Sequence, residues 1–366
     1  MMREKNKELT KGFTLVEFMV GSVVILVVVL GGLALYMQSN RISVDQQNFA
    51  ELQHDVRSGM FFISRDVRSA GVGMPAEFVG YFMEGQDNEN QGEEVEPDRL
   101  MIMGNLEDPL NVTIENYQGS AANAAIVDYS FEQYPYPDSF YENKVVIVLP
   151  NPDSGCMAGE LREITHVSHS SYGTNEKFNF SHGLSKDYDP PGGLSGTCPS
   201  SNDYDGGTIA FVDVKEYWLD VTGNYPGLTA GEDGYIGGGV GNVLYVTHNG
   251  FHKPLAQNVE NLQFEYRGDL DDDGSLDEFV EWNESWTGDP TIVSKISQVR
   301  IMVLGRTAER YHTVSGTPPD NLHLYRRPEL ANSPGAADDD LHRRFLLVST
   351  ANVRNKTLNL YNVGTR

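Results

Sequence analysis

The densest group of side chains able to do chemistry is the stretch DLDDDGSLDE, residues 269–278. Asp269, Asp271 and Asp273 occupy positions 1, 3 and 5 of a calcium-loop pattern, Gly274 the sharp-turn position 6, and Asp277 position 9. Calcium takes six to eight hard oxygens, and alternating carboxylates folded back by a glycine supply several without long-range assembly. Position 12 is Val280 where a helix–loop–helix site carries a bidentate Glu, so Glu278, Glu281 or a distant group would have to complete the shell. An acidic hairpin turn would have the same composition. A bound calcium here would be structural, pinning a loop.

Other chemistry is weakly represented. His166 and His169 stand three apart on an expected strand, a spacing that does not aim both rings at one ion. No HExxH, GxSxG or SxxK is present, and the glycine run at 230–242 lacks the GxGxxG order, so no catalytic set is named. Cys156 and Cys198 form no CxxC pair. In an exported chain they would close a disulfide loop of roughly 40 residues, worth ~3–4 kcal/mol; two free thiols are the alternative. With 52 Asp and Glu against 27 Lys and Arg, the net charge of −25 disfavours nucleic acid as a partner.

One further carboxylate stands where its environment is hostile. Glu17 lies in the run FTLVEFMVGSVVILVVVLGGLALY, residues 13–36, about 24 residues and as a helix ~36 Å, enough to cross a bilayer core. Arg3, Lys5, Lys7 and Lys11 precede it and place the N-terminus on the cytoplasmic side. The run is too long for a secretory signal core and is followed by no clean cleavage site. A plain anchor explains length and charge but leaves Glu17 without a reason, because a charge inside an apolar span costs roughly 2.5–3.5 kcal/mol.

The sequence GFTLVE, Gly12 to Glu17 behind a short basic leader, resembles the signal of type IV prepilins and of the related type II secretion pseudopilins. The resemblance implies that a membrane aspartic peptidase removes residues 1–12, that Phe13 becomes the N-methylated first residue, and that Glu17 is the family's glutamate at the fifth mature position. Glu17 would then pair with the Phe13 amine of a neighbouring subunit and set the stagger of packed helices.

The elements that carry these residues follow from periodicity. Phe49, Leu52, Val56, Met60, Ile63 and Val67 recur at three- and four-residue steps, with Arg41, Asp45, Gln46, Glu51, Asp55, Arg57, Arg65, Asp66 and Arg68 assigned to the opposite face. One helix from Phe13 to about Ala70 is expected, with a membrane or filament-core half at 13–36 and an amphipathic half at 37–70. A mainly β head follows at 76–366, with strands at 99–104, 144–150, 160–167, 208–221, 242–248, 261–267, 296–306 and 343–355. Residues 84–98 and the Gly/Pro/Asp/Ser-rich stretches 182–207, 222–241 and 314–341 read as loops. The fold class is α+β, a long N-terminal helix packed on a mainly antiparallel sheet. Trp218, Trp282 and Trp286 are expected in the sheet core.

The order NVENLQFEYRGDLDDDGSLDEFVEW, ISQVRIMVLGRT and HRRFLLVSTANVRN is similar to PilW-type minor pilins, with residues 105–240 matching only loosely. That resemblance implies a non-enzymatic subunit of type IV pilus assembly, priming a filament or standing at its tip in support of adhesion. Its implied partners are other minor pilins, the major pilin, prepilin peptidase, the inner-membrane assembly platform and a tip adhesin. The implied location is the inner membrane before assembly and the pilus surface afterwards. The alternatives are a type II secretion pseudopilin and a membrane-anchored, calcium-dependent adhesin module.

Overall fold

The computed structural model describes residues 14–72, 82–87, 97–104, 111–118, 124–127, 141–142, 144–155, 160–169, 176–180, 201–220, 243–248, 251–287, 290–307, 325–333 and 342–353. Its first element is one uninterrupted α-helix, α1 (Leu15–Ser69), 55 residues and therefore ~82 Å long. Residues 14–44 are exposed apart from half-buried Gly21. This half is long and apolar enough to cross a membrane, with a mean hydropathy of 2.7 over its most apolar 18-residue window. The apolar stripe of the second half is buried as its spacing requires: Leu52, Val56, Met60, Ile63 and Val67 are each at most 5% exposed. Burying five such side chains contributes on the order of 10 kcal/mol as an upper bound.

Thirteen strands are described: β1 (Met83–Gln86), β2 (Arg99–Gly104), β3 (Asn111–Gln118), β4 (Ala124–Val127), β5 (Val145–Leu149), β6 (Glu160–His169), β7 (Glu176–Phe180), β8 (Thr208–Asp220), β9 (Val243–His248), β10 (Phe251–Ala256), β11 (Val259–Gly268), β12 (Ile296–Arg306) and β13 (Arg344–Asn352). Every described pairing is antiparallel. The long helix and antiparallel head are as the sequence predicts. Five strands were not expected. β10 contains Pro254, which demotes it to an edge. β3, β4 and β7 lie in the loosely matched middle region. β1 falls inside the stretch 84–98 read as loop, where Glu84 to Gln86 pair with Met101 to Arg99 instead.

Among the described residues the strands enclose two large cores, with two small apolar clusters beside them. β8 is 13 residues long and is divided between the two large cores. Its first half bonds β3 on one edge and β5 on the other, with Ala210 opposite both Asn111 and Ile147. β3 continues to β4, β4 to β7, β7 to β6 and β6 to β5, so the six strands close into a small barrel. Its interior holds Val112, Ile114, Tyr117, Ala125, Val127, Tyr141, Val146, Val148, Ile164, Val167, Phe178, Phe180, Tyr204, Ile209 and Phe211. Tyr141, Phe178 and Phe211 form a ring cluster with centroids 5.8–6.2 Å apart. Tyr204, in the 3-10 turn Ser201–Tyr204, is buried against Tyr117, so the end of the expected loop 182–207 is a barrel plug.

The second half of β8 pairs with β2 and β9 and belongs to the core beneath α1. A second sheet, β11-β12-β13, completes that core. Asp98, 3% exposed, joins the two sheets: its N–H donates to Leu262 O (2.9 Å), and its Oδ2 accepts from Phe264 N–H (2.8 Å). Tyr266 and Val280 exchange a further pair of backbone bonds, so the outer edge of β11 is satisfied.

The helix approaches the sheets most closely at two glycines. A Cβ at Gly59 would lie 2.7 Å from Leu244 Cδ2, and one at Gly305 would lie 2.5 Å from Val56 Cγ2 and 2.6 Å from Leu52 Cδ1. Replacing Gly305 with Val should therefore lift α1 from β12 and cost about 1–3 kcal/mol. Chemical unfolding of the detergent-solubilised chain measures it, and an unchanged midpoint would show that the helix packs elsewhere.

Candidate functional site

Among the described residues, three places bear on function: the start of α1, the acidic loop after β11, and the charged contact between α1 and β8.

At the start of α1, Thr14 is the N-cap and Glu17 the third helical residue of a capping box. Glu17 Oε2 accepts from Thr14 N–H and from Thr14 Oγ1, both at 2.9 Å, while Thr14 Oγ1 accepts from Glu17 N–H at 3.3 Å. The carboxylate thus has a local partner and lies at the positive end of the helix dipole. Gly12 and Phe13 lie outside the described residues. The pattern T-x-x-E is a capping-box signature that reading Glu17 against a neighbouring chain passed over.

The acidic loop runs from the end of β11 back to the Tyr266–Val280 bridge. Ligand atoms of Asp269, Asp271 and Asp273 all lie within 4.8 Å of one another. The backbone makes this approach with Asp272 at φ +63° and Gly274 at φ +85°, where open space surrounds the glycine. Asp269 Oδ2 accepts from Gly274 N–H (3.1 Å), Asp271 Oδ1 from Asp273 N–H (3.2 Å), and Asp273 Oδ1 from Ser275 N–H (2.7 Å) and Oγ (2.6 Å). The Ser275 bonds hold the Asp273 carboxyl below the usual carboxylate range. Asp269 Oδ1 is buried without a hydrogen-bond partner. Asp277 stands outside the trio, its Oδ2 accepting from Leu270 N–H at 2.7 Å. Glu281 sits instead among Asp87, Glu265 and Asn332; burial, then the two carboxylates, push its pKa up. Lys295 Nζ closes the loop from the β12 side, donating to Asp272 Oδ2 (2.6 Å) and Leu270 O (3.1 Å). The three carboxylates have the donor chemistry for calcium; no fourth protein carboxylate joins them among the described residues.

The remaining candidates resolve as structure. His166 is exposed, with Nδ1 2.8 Å from Glu142 Oε1, and faces Asn179 across the barrel wall. Trp218 and Trp282 are buried, and Trp286 packs on Trp282. Cys156, Cys198 and the glycine run at 230–242 lie outside the described residues.

Asp66, assigned from the sequence to the polar face, is instead 4% exposed within the apolar stripe, one turn beyond Ile63. It is the centre of a buried charge cluster: Oδ1 accepts from Arg65 Nε (2.7 Å), and Oδ2 from Tyr217 Oη (2.6 Å) and Lys215 Nζ (3.1 Å). Lys215 and Asp66 side chains are 6% and 5% exposed. The signal was present in the sequence, since Asp66 follows Ile63 by three residues and so falls on the apolar stripe. Burial raises the Asp66 pKa, but the bonds from Arg65 and Tyr217 and the Lys215 charge outweigh it, leaving the carboxyl below its usual range.

No family model matches the chain, and no curated protein matches it. Among solved structures, a type IV-like pilin from Thermus thermophilus aligns with 58% of this chain and 84% of its own, at 13% identity and a TM-score of 0.21. At that score the superposition carries no weight of its own, and the architecture rests on the elements described above.

A folded pKa below the unfolded value stabilises above the unfolded pKa, about 3.9 for Asp, and the contribution is lost as pH falls through the folded pKa. Asp66→Asn should therefore flatten the acid limb of a urea midpoint against pH profile below about pH 4. Lys215→Met removes one of the two cations at the carboxylate, leaving Arg65 and Tyr217 in place, and should cost roughly 1–3 kcal/mol at pH 7. Wild-type acid dependence in Asp66→Asn would remove the cluster from this role.

Proposed function

We propose that the chain is a minor pilin of a type IV pilus, PilW-like in type, cut by prepilin peptidase between Gly12 and Phe13, anchored by residues 13–36 and assembled with other pilins into a priming or tip complex. The observation that carries this reading is one unbroken helix whose first half is exposed almost throughout and whose second half is clamped by the described part of the head. Such a helix offers its apolar half to a membrane before assembly and to other helices after it. The GFTLVE sequence at its start supplies the processing signal. The subunit performs no chemistry of its own in this scheme; the peptidase acts on it.

Glu17 has two roles here, successive in time. In the anchored chain it caps its own helix with Thr14. Once Phe13 becomes the N-terminus, its amine adds a cation near the same carboxylate, and a neighbouring subunit's Phe13 amine competes for it during assembly. Mass spectrometry of the N-terminus from sheared filaments and from membranes should find methylated Phe13 in both. Glu17→Ala should leave cleavage intact and deplete the protein from filaments. An uncut Met1 terminus removes the pilin assignment, and normal filament recovery of Glu17→Ala removes the pairing.

A calcium ion held by Asp269, Asp271 and Asp273 is the second reading, favoured by the buried, unbonded Asp269 Oδ1 beside the other two carboxylates. The ion would fix the β11–β12 connection after export, where calcium is millimolar. Calcium at 100 times its dissociation constant would stabilise by about 2.7 kcal/mol. Millimolar calcium should raise the thermal midpoint of the wild type and leave Asp271→Asn/Asp273→Asn unchanged; equal midpoints with and without calcium in the wild type would refute the site.

A further inference from the structure

The exposed side of the clamped half of α1 has a charge opposite to the head it carries. Of the 52 acidic residues seven precede residue 70, and of the 27 basic residues eight do, leaving 45 against 19 beyond it and a head of net charge −26. On the helix, His54, Arg57, Phe61, Arg65 and Arg68 recur at steps of three and four and are all exposed. Phe61 is 62% exposed, large for a phenylalanine. Arg57 lies over the Phe345 ring (5.6 Å) and Arg65 over Phe62 (5.3 Å), arrangements that hold the guanidinium groups against aromatic faces. Arg65 is paired with the buried Asp66 (2.7 Å) and His54 stands 3.8 Å from Asp55, with the exposed Glu51 one turn before it, so the charge the stripe offers a partner is carried by Arg57 and Arg68 on either side of Phe61. The stripe is therefore a basic rim about an aromatic anchor, the composition of a protein docking surface.

We infer that this stripe docks the carboxylate-rich head of an adjoining pilin subunit. Charge complementarity selects an acidic partner, and length excludes the lipid surface. Arg57 lies 21 residues beyond Tyr36 and Arg68 32 residues beyond it, so with residues 13–36 in the membrane they stand ~31 and ~48 Å from its edge. The electrostatic reach of anionic headgroups at physiological salt is ~8 Å. The head of −26 in turn repels nucleic acid from the same surface. A contact between a helix of one subunit and the head of the next is heterologous, and repeats only in a ring or along a filament. The inference rests on the anchored-subunit reading and is tested apart from it.

The test uses the full chain in its own host, with Phe61 replaced by photoreactive p-benzoylphenylalanine, irradiated in cells that assemble filaments. The adduct is mapped by mass spectrometry, and its yield is compared with that in Arg57→Glu/Arg68→Glu, which spares Arg65 and its bond to Asp66. Protease resistance of the head serves as the folding control. An adduct in an acidic stretch of a pilin head, reduced roughly tenfold by the double reversal, supports the inference; if that head belongs to a second copy of this chain, the contact is homotypic. A lipid adduct, no adduct, or a yield indifferent to charge reversal in a folded variant overturns it. The N-terminal peptide from the same sample separates the two ideas: methylated Phe13 without a charge-dependent adduct sinks the docking alone, and the adduct on an unprocessed chain sinks the pilin reading alone.

Discussion

The described head is held to α1 between Phe49 and Ala70, and the directional contact within that grip is the buried carboxylate of Asp66. An apolar stripe alone would let the helix slide or rotate against the sheets, because apolar packing is non-directional. Asp66 fixes both register and rotation, since its Oδ2 must meet Tyr217 and Lys215 of β8 together while Arg65 of the same helix holds Oδ1. The glycines at 59 and 305 help set the depth, since a Cβ at either would press on Leu244, or on Val56 and Leu52, and make those side chains shift. Directional bonds and close approach together convert a greasy contact into a defined joint.

The head itself is built outward from that joint. β2, β9 and the second half of β8 form the floor under the helix, β11-β12-β13 the flank, and Asp98 splices floor to flank through its N–H and its carboxylate. The acidic loop hangs from the far end of β11, and Lys295 ties it to the start of β12. The Asp269 trio is thus positioned by the same sheet that grips the helix, although its residues are contiguous in sequence.

What could be read from the sequence was local. The stripe Leu52 to Val67, the alternating strands β11 and β12, and the apolar run of β8 announce themselves by period, and all are found where expected. The Asp269, Asp271, Asp273 pattern was legible for the same reason: its spacing lies within one loop. Asp66 was misplaced because residue type was weighed above position, and its partner Lys215 is 149 residues away. The small barrel was invisible because closure is a property of pairing. Short segments such as AAIV and EKFNF carry little period of their own and become strands only by pairing with each other between β3 and β6. The exposure of Phe61 likewise depends on which side of the helix the head takes.

The division of β8 between two cores has a mechanical consequence. A module joined by a loose linker swings and gives no resistance until the linker is taut, whereas the barrel is joined to the floor through the interior of a strand bonded on both edges along its length. A tug on the barrel therefore runs lengthwise along β8 and loads its hydrogen bonds in shear, many at once, before reaching the helix at Lys215 and Tyr217. Load applied across this head would meet a stiff strut, with no compliant bead to absorb the strain.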